Sequence, residues 1–378
     1  MPTHIRVATR AGAMIANARQ EIVGYLFILA VTSCFGDYPR LRELAQKRNI
    51  FVGSAANAGH ISSDSDHEYD KVLKEQFSLV TPENACKWPA TEPQQGMFDF
   101  KECDLVYNTT RQYNQSFRGH NLCWGVHNPS WLANLAGNRS ALEAALQNHI
   151  TAVAGRYHGK VYAWDVVNEA VSDHPNGSDY LKHNIWYPTV SNYIDLAFQT
   201  AQKADPQAKL FYNDYAAEGL NSKSNAIYNM IKSMLSRGIP IHGIGLQAHL
   251  SISASKEMLA ESKLSSPPSY DDMAANVKRF ADLGLEVHFT ELDVNMKGAT
   301  GSDSEKFEKQ AQVYKSVLEA CLSNSKCKNY EVWGFTDKYT WLGSENKPDL
   351  FDTKYHPKPC FKGVVTALEE RHHVTGLN

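Results

Sequence analysis

The stretch DDMAANVKRFADLGLEVHFTELD, residues 271–293, carries the pattern on which the fold prediction depends. Apolar side chains recur at helical spacing in its first half: Met273, Val277, Phe280 and Leu283. Gly284 then ends the helix. The second half is apolar almost without interruption, which is typical of a strand buried on both faces of a parallel sheet. The stretch therefore predicts a helix that leads directly into a buried parallel strand.

The same alternation of helix and strand repeats along the chain from about residue 40. Eight runs have the length and apolar character of strands: FVGSAAN (51–57), FSLVTPEN (77–84), SFRGHNLCW (116–124), VYAWDVVNE (161–169), KLFYNDY (209–215), HGIGLQAHL (242–250), LEVHFTELD (285–293) and YEVWGFTD (330–337). Segments with helical periodicity lie between them, and no linker separates a second module. Eight strands that alternate with helices predict an α/β fold, a single (β/α)8 TIM barrel.

Composition and charge exclude several classes of protein. The chain has 378 residues, 43% of them hydrophobic and 21% charged, which is ordinary for a globular protein. It has 38 Lys and Arg against 41 Asp and Glu, a formal net charge of −3. Because no basic surplus is present to neutralise phosphates, we expect no nucleic-acid partner. The many aromatic residues that lie beside polar ones indicate a cleft for flat, weakly polar faces such as sugar rings.

The longest apolar run, IVGYLFILAVT at residues 22–32, is too short to span a bilayer and fits the apolar part of a secretory signal. We expect residues 1–37 to form an N-terminal segment with this signal, and residues 38–378 to form the barrel. Cleavage between Ser33 and Arg40 would give a secreted, extracellular protein with no membrane segment in its mature form. An initiation at Met14 would give a more usual signal, and an N-terminal core helix is the alternative.

Seven cysteines are present, and Cys34 lies at the expected cleavage site. The other six are Cys86, Cys103, Cys123, Cys321, Cys327 and Cys360. An even number in a secreted chain indicates disulfides, and the absence of a CxxC pair argues against a zinc site, so we expect no metal. Four sequons would accept N-glycans in a eukaryotic secretory pathway: Asn108, Asn114, Asn138 and Asn176.

Seven of the eight predicted strands end in side chains that avoid burial: Asn84, His120, Glu169, Asn213, His249, Glu291 and Asp337. In a (β/α)8 barrel these ends converge on one face, where the loops build the active site. Any one of them alone is most simply explained as a buried polar residue with a hydrogen-bond partner. Seven together predict one polar cleft.

Two of these residues are carboxylates on nearly opposite strands. Glu169 ends the fourth predicted strand and Glu291 ends the seventh, so both can face a substrate across the barrel mouth. One acid and one nucleophile or base, flanking the substrate, are what glycoside hydrolysis requires. The alternative is that each glutamate only caps a helix or pairs with a lysine.

The chain carries a series of motifs in a defined order: TPENACKW (81–88), ATEPQQGMFDF (90–100), RGHNLCW (118–124), WDVVNEA (164–170), LFYNDY (210–215), GIGLQAHL (243–250), VHFTELDV (287–294) and VWGFTDKYTW (332–341). Over roughly residues 42–370 they make it resemble glycoside hydrolase family 10, the endo-1,4-β-xylanases. The resemblance implies retaining hydrolysis of internal β-1,4 bonds in xylan and xylo-oligosaccharides, without a cofactor. We expect the protein to act as a monomer.

The resemblance also implies roles for individual residues. Glu169 matches the general acid/base and Glu291 the nucleophile, while His249 and Asp293 match the pair that orients the nucleophile. Asn168 matches the residue that binds the sugar 2-hydroxyl. Further substrate contacts are implied for Glu83, Asn84, Lys87, His120, Trp124, Tyr215, Gln247, His249, Trp333 and Trp341, of which the last two stack on the sugar. Asn213 is expected to support these residues from behind.

The chain departs from the family where members usually read WHSQ; here the sequence is Trp124-Gly125-Val126-His127. Gly125 replaces a histidine and His127 a glutamine that helps to select xylose over glucose. We therefore expect a roomier wall and a weaker preference for xylose. Two other functions stay open, an enzyme for glucose-based β-glycans and an inactive barrel that binds carbohydrate or protein. Inactive barrels typically lose one acid, whereas both are present here.

The resemblance bears on the disulfides as well. Cys321 and Cys327 match a loop disulfide that is common in fungal members. Cys86 and Cys123 both replace apolar residues of the family in neighbouring strands, which predicts a disulfide between them at the cleft rim. By elimination, Cys103 would then pair with Cys360.

Overall fold

The computed structural model describes residues 38–61, 66–253 and 263–370. The expected signal segment and Cys34 lie outside the described residues. The chain divides after Pro39, and Arg40–Asn378 forms one compact unit. Within the described ranges, no helix is both long enough and apolar enough to cross a membrane.

Eight parallel strands close into a barrel, which confirms the predicted fold. In chain order the strands are β1 (Phe51–Ala56), β2 (Leu79–Pro82), β3 (Ser116–Trp124), β4 (Ala163–Asn168), β5 (Val171–Asn176), β6 (Asp179–Leu181), β7 (Lys209–Asp214), β8 (Gly243–Leu246), β9 (His249–Ser251), β10 (Glu286–Asn295) and β11 (Cys327–Val332). The barrel order is β1-β2-β3-β4-β7-β8-β10-β11, and β11 pairs with β1 to close the ring. β5 and β6 form an antiparallel hairpin after β4.

Helices surround the barrel and connect its strands. Those of the described residues are α1 (Leu41–Lys47), α2 (His67–Gln76), α3 (Trp88–Thr91), α4 (Lys101–Gln112), α5 (Arg139–Arg156), α6 (Tyr193–Ala204), α7 (Ser222–Ser236), α8 (Tyr270–Asp282), α9 (Asp303–Leu322) and α10 (Pro359–Glu369). In α8, Met273, Val277 and Phe280 are buried, as the helical spacing predicts. Short 3₁₀ turns lie at Ser130–Leu135 and Ser344–Asn346.

The sixth predicted strand, residues 242–250, is divided in two by the structure. Gly243–Leu246 pairs with β7 and β10, and His249–Ser251 resumes pairing with β10 as β9. Between them, Ala248 has a φ of 61°, a left-handed conformation that interrupts an extended chain. The interruption lies at the barrel mouth and turns the side chain that follows it toward the cleft.

Two disulfides are present among the residues that the structure describes, and one of the three predicted pairs is among them. Cys321 and Cys327 are joined across the turn between α9 and β11. Cys86 is joined to Cys103, with their Cα atoms 4.9 Å apart, so the predicted pair Cys86–Cys123 is wrong. Cys86 follows β2 and faces the first turn of α4, on the outside of the sheet, instead of the adjacent strand.

The predicted pair Cys103–Cys360 is also wrong, because both Cys123 and Cys360 are free thiols. Cys360 donates to the carbonyl of Asp349 at 3.5 Å. Both thiols are completely buried, and burial raises the pKa of Cys360 to about 12.

Candidate active site

The carboxyl ends of β4, β7, β8 and β10 form one continuous backbone platform. Beyond the regular strands, the N–H of Glu169 donates to Asn213, that of Gln247 to Asp214, and that of Glu291 to Gln247, each at 2.9 Å. Glu169 has a φ of 56°, a left-handed conformation that costs a non-glycine residue about 1–3 kcal/mol. This platform holds the residues that carry the two carboxylates in a common register.

Glu169 is a buried carboxylate with three donors around it. The indole Nε1 of Trp124 donates to its Oε2 at 3.1 Å, and the amide Nε2 of Gln247 donates to its Oε1 at 3.1 Å. Lys263 Nζ lies 2.8 Å from Oε1 and 2.6 Å from Oε2. The sequence predicts a place in the cleft for the first two residues, but no sequence signal marks Lys263, which lies outside every predicted strand and helix.

Glu291 lies against a charged imidazole. His249 Nε2 is 3.0 Å from Glu291 Oε2, and His249 Nδ1 is 2.9 Å from Asp293 Oδ2. Burial lowers the pKa of His249, but the two carboxylates more than offset this and raise it to about 10. Burial raises the pKa of Glu291, while the hydrogen bond from His249 and the nearby His120 more than offset that effect, so the pKa ends below its usual value. Glu291 is therefore ionised and His249 is protonated at neutral pH.

Three neutral amides connect the two carboxylates. Asn213 Nδ2 donates to Glu291 Oε1 at 2.7 Å and to Asn168 Oδ1 at 2.9 Å. Gln247 Nε2, which donates to Glu169, also donates to Asn168 Oδ1 at 3.2 Å. The sequence predicts that Asn213 supports the site from behind, but in the structure it contacts the carboxylate of Glu291 directly. Its place at the end of β7 was the one sequence signal for this position.

One side of the cleft has two indoles and a lysine. Trp333 is buried, whereas Trp341 is 46% exposed and donates from Nε1 to Asp293 Oδ2 at 2.8 Å. Lys87 Nζ lies 5.3 Å from the ring of Trp124 and 5.8 Å from that of Trp333. Burial lowers the pKa of Lys87, against the opposing effect of three glutamates: Glu291, Glu83 and Glu169.

The loop after β2 completes this side. Lys87 Nζ donates to Asn84 Oδ1 at 2.9 Å, and Asn57 Nδ2 donates to Glu83 Oε2 at 3.0 Å. Asn84 is exposed, so its side chain is accessible from the cleft. Three predicted substrate contacts, Glu83, Asn84 and Lys87, therefore lie on one loop. Their charged and amide groups can bind sugar hydroxyls.

The floor of the cleft is supported from inside the barrel. His120 Nδ1 lies 2.9 Å from Asp165 Oδ2, and its ring meets Trp333 edge-on at 5.1 Å between centroids. Arg118 forms an ion pair with Asp165 and approaches His288 Nδ1 at 2.7 Å. Burial raises the pKa of Asp165, but Arg118 and His120 lower it below its usual value. The ionised Asp165 thus orients His120 beneath the indole.

On the opposite side of the cleft, Tyr215 has a well-defined set of partners. Its hydroxyl donates to Asp173 Oδ2 at 2.8 Å, and Lys182 Nζ donates to the same hydroxyl at 3.0 Å. Lys223 Nζ lies 3.5 Å from the ring centroid. The resemblance implies a role for Tyr215 but none for its charged neighbours, which come from the β5–β6 hairpin and α7.

The space next to Gly125 is occupied. A Cβ atom at Gly125 would lie 2.3 Å from the side-chain nitrogen of Asn184. Asn184 is held in place because its Oδ1 accepts from the backbone of Trp186 at 2.8 Å and of Tyr187 at 3.2 Å. The prediction of a gap at Gly125 is therefore wrong, because the side chain of Asn184, which is distant in the sequence, fills that space. His127 stacks on Trp124, with ring centroids 6.0 Å apart.

Asp337 is the one predicted strand-end residue that takes no part in this set of contacts. Its carboxylate accepts from Lys358 Nζ at 3.1 Å and from the backbone of Asp349 at 2.9 Å. It thus binds the loop that precedes α10, and the prediction of a single cleft holds for the other six. Among the described residues, no group of three or more His, Cys, Asp or Glu is arranged to hold a metal ion.

Comparison with known proteins is consistent with this geometry. The model of the family described as glycosyl hydrolase family 10 matches residues 40–367. "Endo-1,4-beta-xylanase B" of Neocallimastix patriciarum is 40% identical over 333 residues, which are 88% of this chain but 36% of that protein. "Endo-1,4-beta-xylanase B" of Thermotoga neapolitana is 36% identical, over 92% of this chain and 96% of that one. The chain thus spans about a third of the first relative and nearly all of the second.

Solved structures show the same likeness. Xylanase 10B from Thermotoga petrophila RKU-1, in complex with xylobiose, superposes with a TM-score of 0.80 at 36% identity. The match covers 88% of this chain and 98% of that one. The family resemblance that the motifs indicated is therefore confirmed.

Proposed function

Since the chain belongs to glycosyl hydrolase family 10, we propose that it is an endo-1,4-β-xylanase that acts with retention of configuration. The observation that carries this proposal is the different environment of two carboxylates at one barrel mouth. A buried imidazolium keeps Glu291 ionised. One of the hydrogen-bond donors to Glu169, in contrast, is a partly exposed lysine. One group is thus suited to attack and the other to exchange a proton.

In the proposed reaction, an oxygen of Glu291 attacks the anomeric carbon of the sugar. The bond to the leaving sugar breaks as Glu169 gives its proton to the glycosidic oxygen, and a glycosyl ester remains on Glu291. Glu169, now ionised, then takes a proton from water, whose oxygen displaces Glu291. Both glutamates return to their initial state, and two inversions at the same carbon give net retention.

The remaining cleft residues are suited to bind the sugars of xylan and xylo-oligosaccharides. We assign contacts with hydroxyl groups to Glu83, Asn84, Lys87, His120, Asn168 and Gln247. Trp333 and Trp341 offer indole faces on which sugar rings stack, and Tyr215 lines the other side. Support comes from the relative solved with xylobiose, whose barrel superposes on this one. Because one chain supplies all these groups, we propose that the monomer is active.

We further propose that the mature protein is secreted and that residues 38–378 are its catalytic domain. The two disulfides support this, because disulfides persist in oxidising compartments. The asparagines of the four sequons are exposed, as glycosylation requires. N-terminal sequencing and glycosidase treatment of the secreted protein would test both points.

The experiment for the activity uses substitutions of the two glutamates. Glu291→Gln is expected to abolish turnover on every substrate, because no glycosyl ester can form. Glu169→Ala is expected to lose most activity on xylan yet still react with an aryl xylobioside whose leaving group needs no proton. Azide should then restore turnover of that variant. Glu308→Gln, an exposed glutamate of α9, is the control.

Two results would contradict the proposal: a Glu169→Ala enzyme that cleaves xylan at the wild-type rate, or an inverted anomer as the first product in proton NMR. Initial rates on xylan, cellulose and mixed-linkage glucan separate a xylanase from an enzyme for glucose-based glycans. An inactive barrel would show no turnover on any of the three.

A further inference from the structure

Lys263 is a charged residue of the cleft to which the proposed reaction gives no role. It lies on the loop between β9 and α8, and its ammonium contacts both oxygens of Glu169 at 2.8 and 2.6 Å. The same ammonium lies 4.6 Å from the ring centroid of Trp124 and 5.4 Å from that of Tyr215. It therefore occupies the side of Glu169 that is open to the cleft.

The contacts of Glu169 leave no position for a proton. A carboxylate has about four lone-pair sites, two on each oxygen. Oε1 accepts from Gln247 and Lys263, and Oε2 accepts from Trp124 and Lys263. A general acid must carry a proton on one oxygen and point it at the leaving oxygen. At least one of the three donors must therefore leave before Glu169 can act as an acid.

Lys263 is the donor that can leave. Gln247 is fully buried and also bound to Asn168, and the Trp124 ring is stacked on His127. The side chain of Lys263, in contrast, is 36% exposed on a flexible stem of four carbons. When Lys263 moves away, only a partly exposed ion pair is broken, and such a pair contributes little free energy.

We propose that Lys263 is a positioning residue, a displaceable counter-ion of the acid/base carboxylate. In the free enzyme it holds Glu169 as a carboxylate in the place that the leaving-group oxygen later takes. Substrate displaces the ammonium, which keeps its three protons, and Glu169 then takes its proton from solvent. After the leaving sugar departs, Lys263 returns and favours the ionised form that accepts a proton from water. This inference rests on the proposed function, because it needs Glu169 to be the acid.

Other groups also act on Glu169, and the test must leave them unchanged. Lys87 from the loop after β2, Lys182 beside β6 and Tyr215 after β7 all lie close enough to feel its charge. Glu291 lies across the cleft and acts on Lys87 as well. Each is present in wild type and in variants of Lys263, so a difference between them reports on Lys263.

The test compares Lys263→Met, which keeps the length without the charge, with Lys263→Arg, which keeps the charge. On xylotetraose, Lys263→Met is expected to lower KM about two- to fivefold, the range for a partly exposed ion pair. The alkaline limb of its kcat/KM profile is expected to move to higher pH. Without the ammonium of Lys263, which favours the carboxylate, Glu169 keeps its proton to a higher pH. Lys263→Arg should keep the wild-type limb, as should Lys278→Met, an exposed lysine of α8.

The second substrate is a dinitrophenyl xylobioside, whose departure needs no proton, so its alkaline limb is expected to be the same in wild type and Lys263→Met. Equal limbs on xylotetraose, or equal displacements on both substrates, would overturn the inference. A wild-type enzyme without activity on either substrate would instead contradict the proposed function. The two failures are thus distinguishable.

Discussion

Neutral amides separate the charged residues of the site. Asn213 and Gln247 each donate to Asn168 and to one of the two carboxylates. Because an amide has a donor and an acceptor but no charge, it can hold two groups in register without changing the charge balance between them. The charge that keeps Glu291 ionised therefore comes mainly from His249 and, farther away, from His120.

This assignment predicts a change in pH dependence. The pKa of His249 is about 10, so its imidazolium is present across the neutral range and favours the ionised form of Glu291. In His249→Gln the positive charge is lost, the pKa of Glu291 rises, and Glu291 is protonated at a higher pH. The acid limb of kcat/KM for a dinitrophenyl xylobioside is therefore expected to move to higher pH. His183→Gln, an exposed histidine, is the control, and an unmoved acid limb in His249→Gln would contradict the assignment.

A second residue-scale prediction concerns the choice between xylose and glucose. Asn184 fills the space next to Gly125, a position where the resemblance to the family implies a histidine. We expect Asn184→Gly to open this wall and to reduce the ratio of kcat/KM for aryl xylobioside over aryl cellobioside. A filled or empty site of this size is worth about 1–3 kcal/mol, or roughly 10- to 200-fold. Asn148→Ala, an exposed position on α5, should leave the ratio unchanged. The same ratio in Asn184→Gly would place the selective wall elsewhere.

At the scale of elements, the loop after β2 is fastened to α4. Cys86 lies between Asn84 and Lys87, two of the proposed sugar contacts, and its disulfide to Cys103 joins this loop to the first turn of α4. The loop itself has little regular structure beyond the short helix α3. The disulfide therefore restrains the part of the cleft that the barrel strands do not hold directly.

Removing this disulfide is expected to destabilise the protein measurably. The bond spans 17 residues, and a loop of that length corresponds to about 3 kcal/mol in the chain-entropy account. In urea, the double variant Cys86→Ala/Cys103→Ala should lose that much free energy of unfolding. Cys123→Ser is the control, because it replaces a buried cysteine that forms no disulfide. Peptide mapping of the unreduced protein should find Cys86 linked to Cys103. A link from Cys86 to Cys123 would contradict the structure.

At the scale of the whole molecule, the barrel interior is polar. Arg118 is completely buried, pairs with Asp165 and lies 4.5 Å from the ring centroid of Phe211. Glu331 of β11 is also completely buried, and burial raises its pKa to about 8. These groups connect strands that are distant in the chain, and through Asp165 and His120 they reach the floor of the cleft.

Arg118→Met is therefore expected to lower the free energy of unfolding. It leaves the buried carboxylate of Asp165 without its main counter-ion, which typically costs about 3–5 kcal/mol. The double variant Arg118→Met/Asp165→Asn should recover part of this loss, because no unpaired charge remains. The pKa of Asp165 lies below its usual value in the wild type. The single variant should therefore lose the full amount of unfolding free energy at pH values above the usual pKa of an aspartate. The difference from wild type should shrink as the pH falls into the acid range. Urea unfolding at pH 7 and at pH 3 measures the loss in the single variant, its recovery in the double variant and its dependence on pH. Equal stability of the wild type and the single variant at pH 7 would contradict the prediction.

The barrel and most of the residues around the cleft could be predicted from the amino-acid sequence. Helical spacing before each apolar run indicated which segments are helices and which are strands, and the parallel arrangement brings all carboxyl ends of strands to one face. Glu169, Glu291, His249 and Asn168 could be found because they lie at or just after such ends. Asp337 shows the limit of the argument, since it follows the last strand yet pairs with Lys358.

Contacts between side chains from segments that are distant in the chain could not be predicted and depend on the folded structure. Cys86 pairs with Cys103 because its side chain faces the helix layer, a direction that no motif states. Asn184 reaches Gly125 from the segment after β6, and Lys263 reaches Glu169 from the loop after β9. Strands and helices follow from local periodicity, but loop contacts depend on how side chains from separate segments fill the same space, and that is determined only when the whole chain packs.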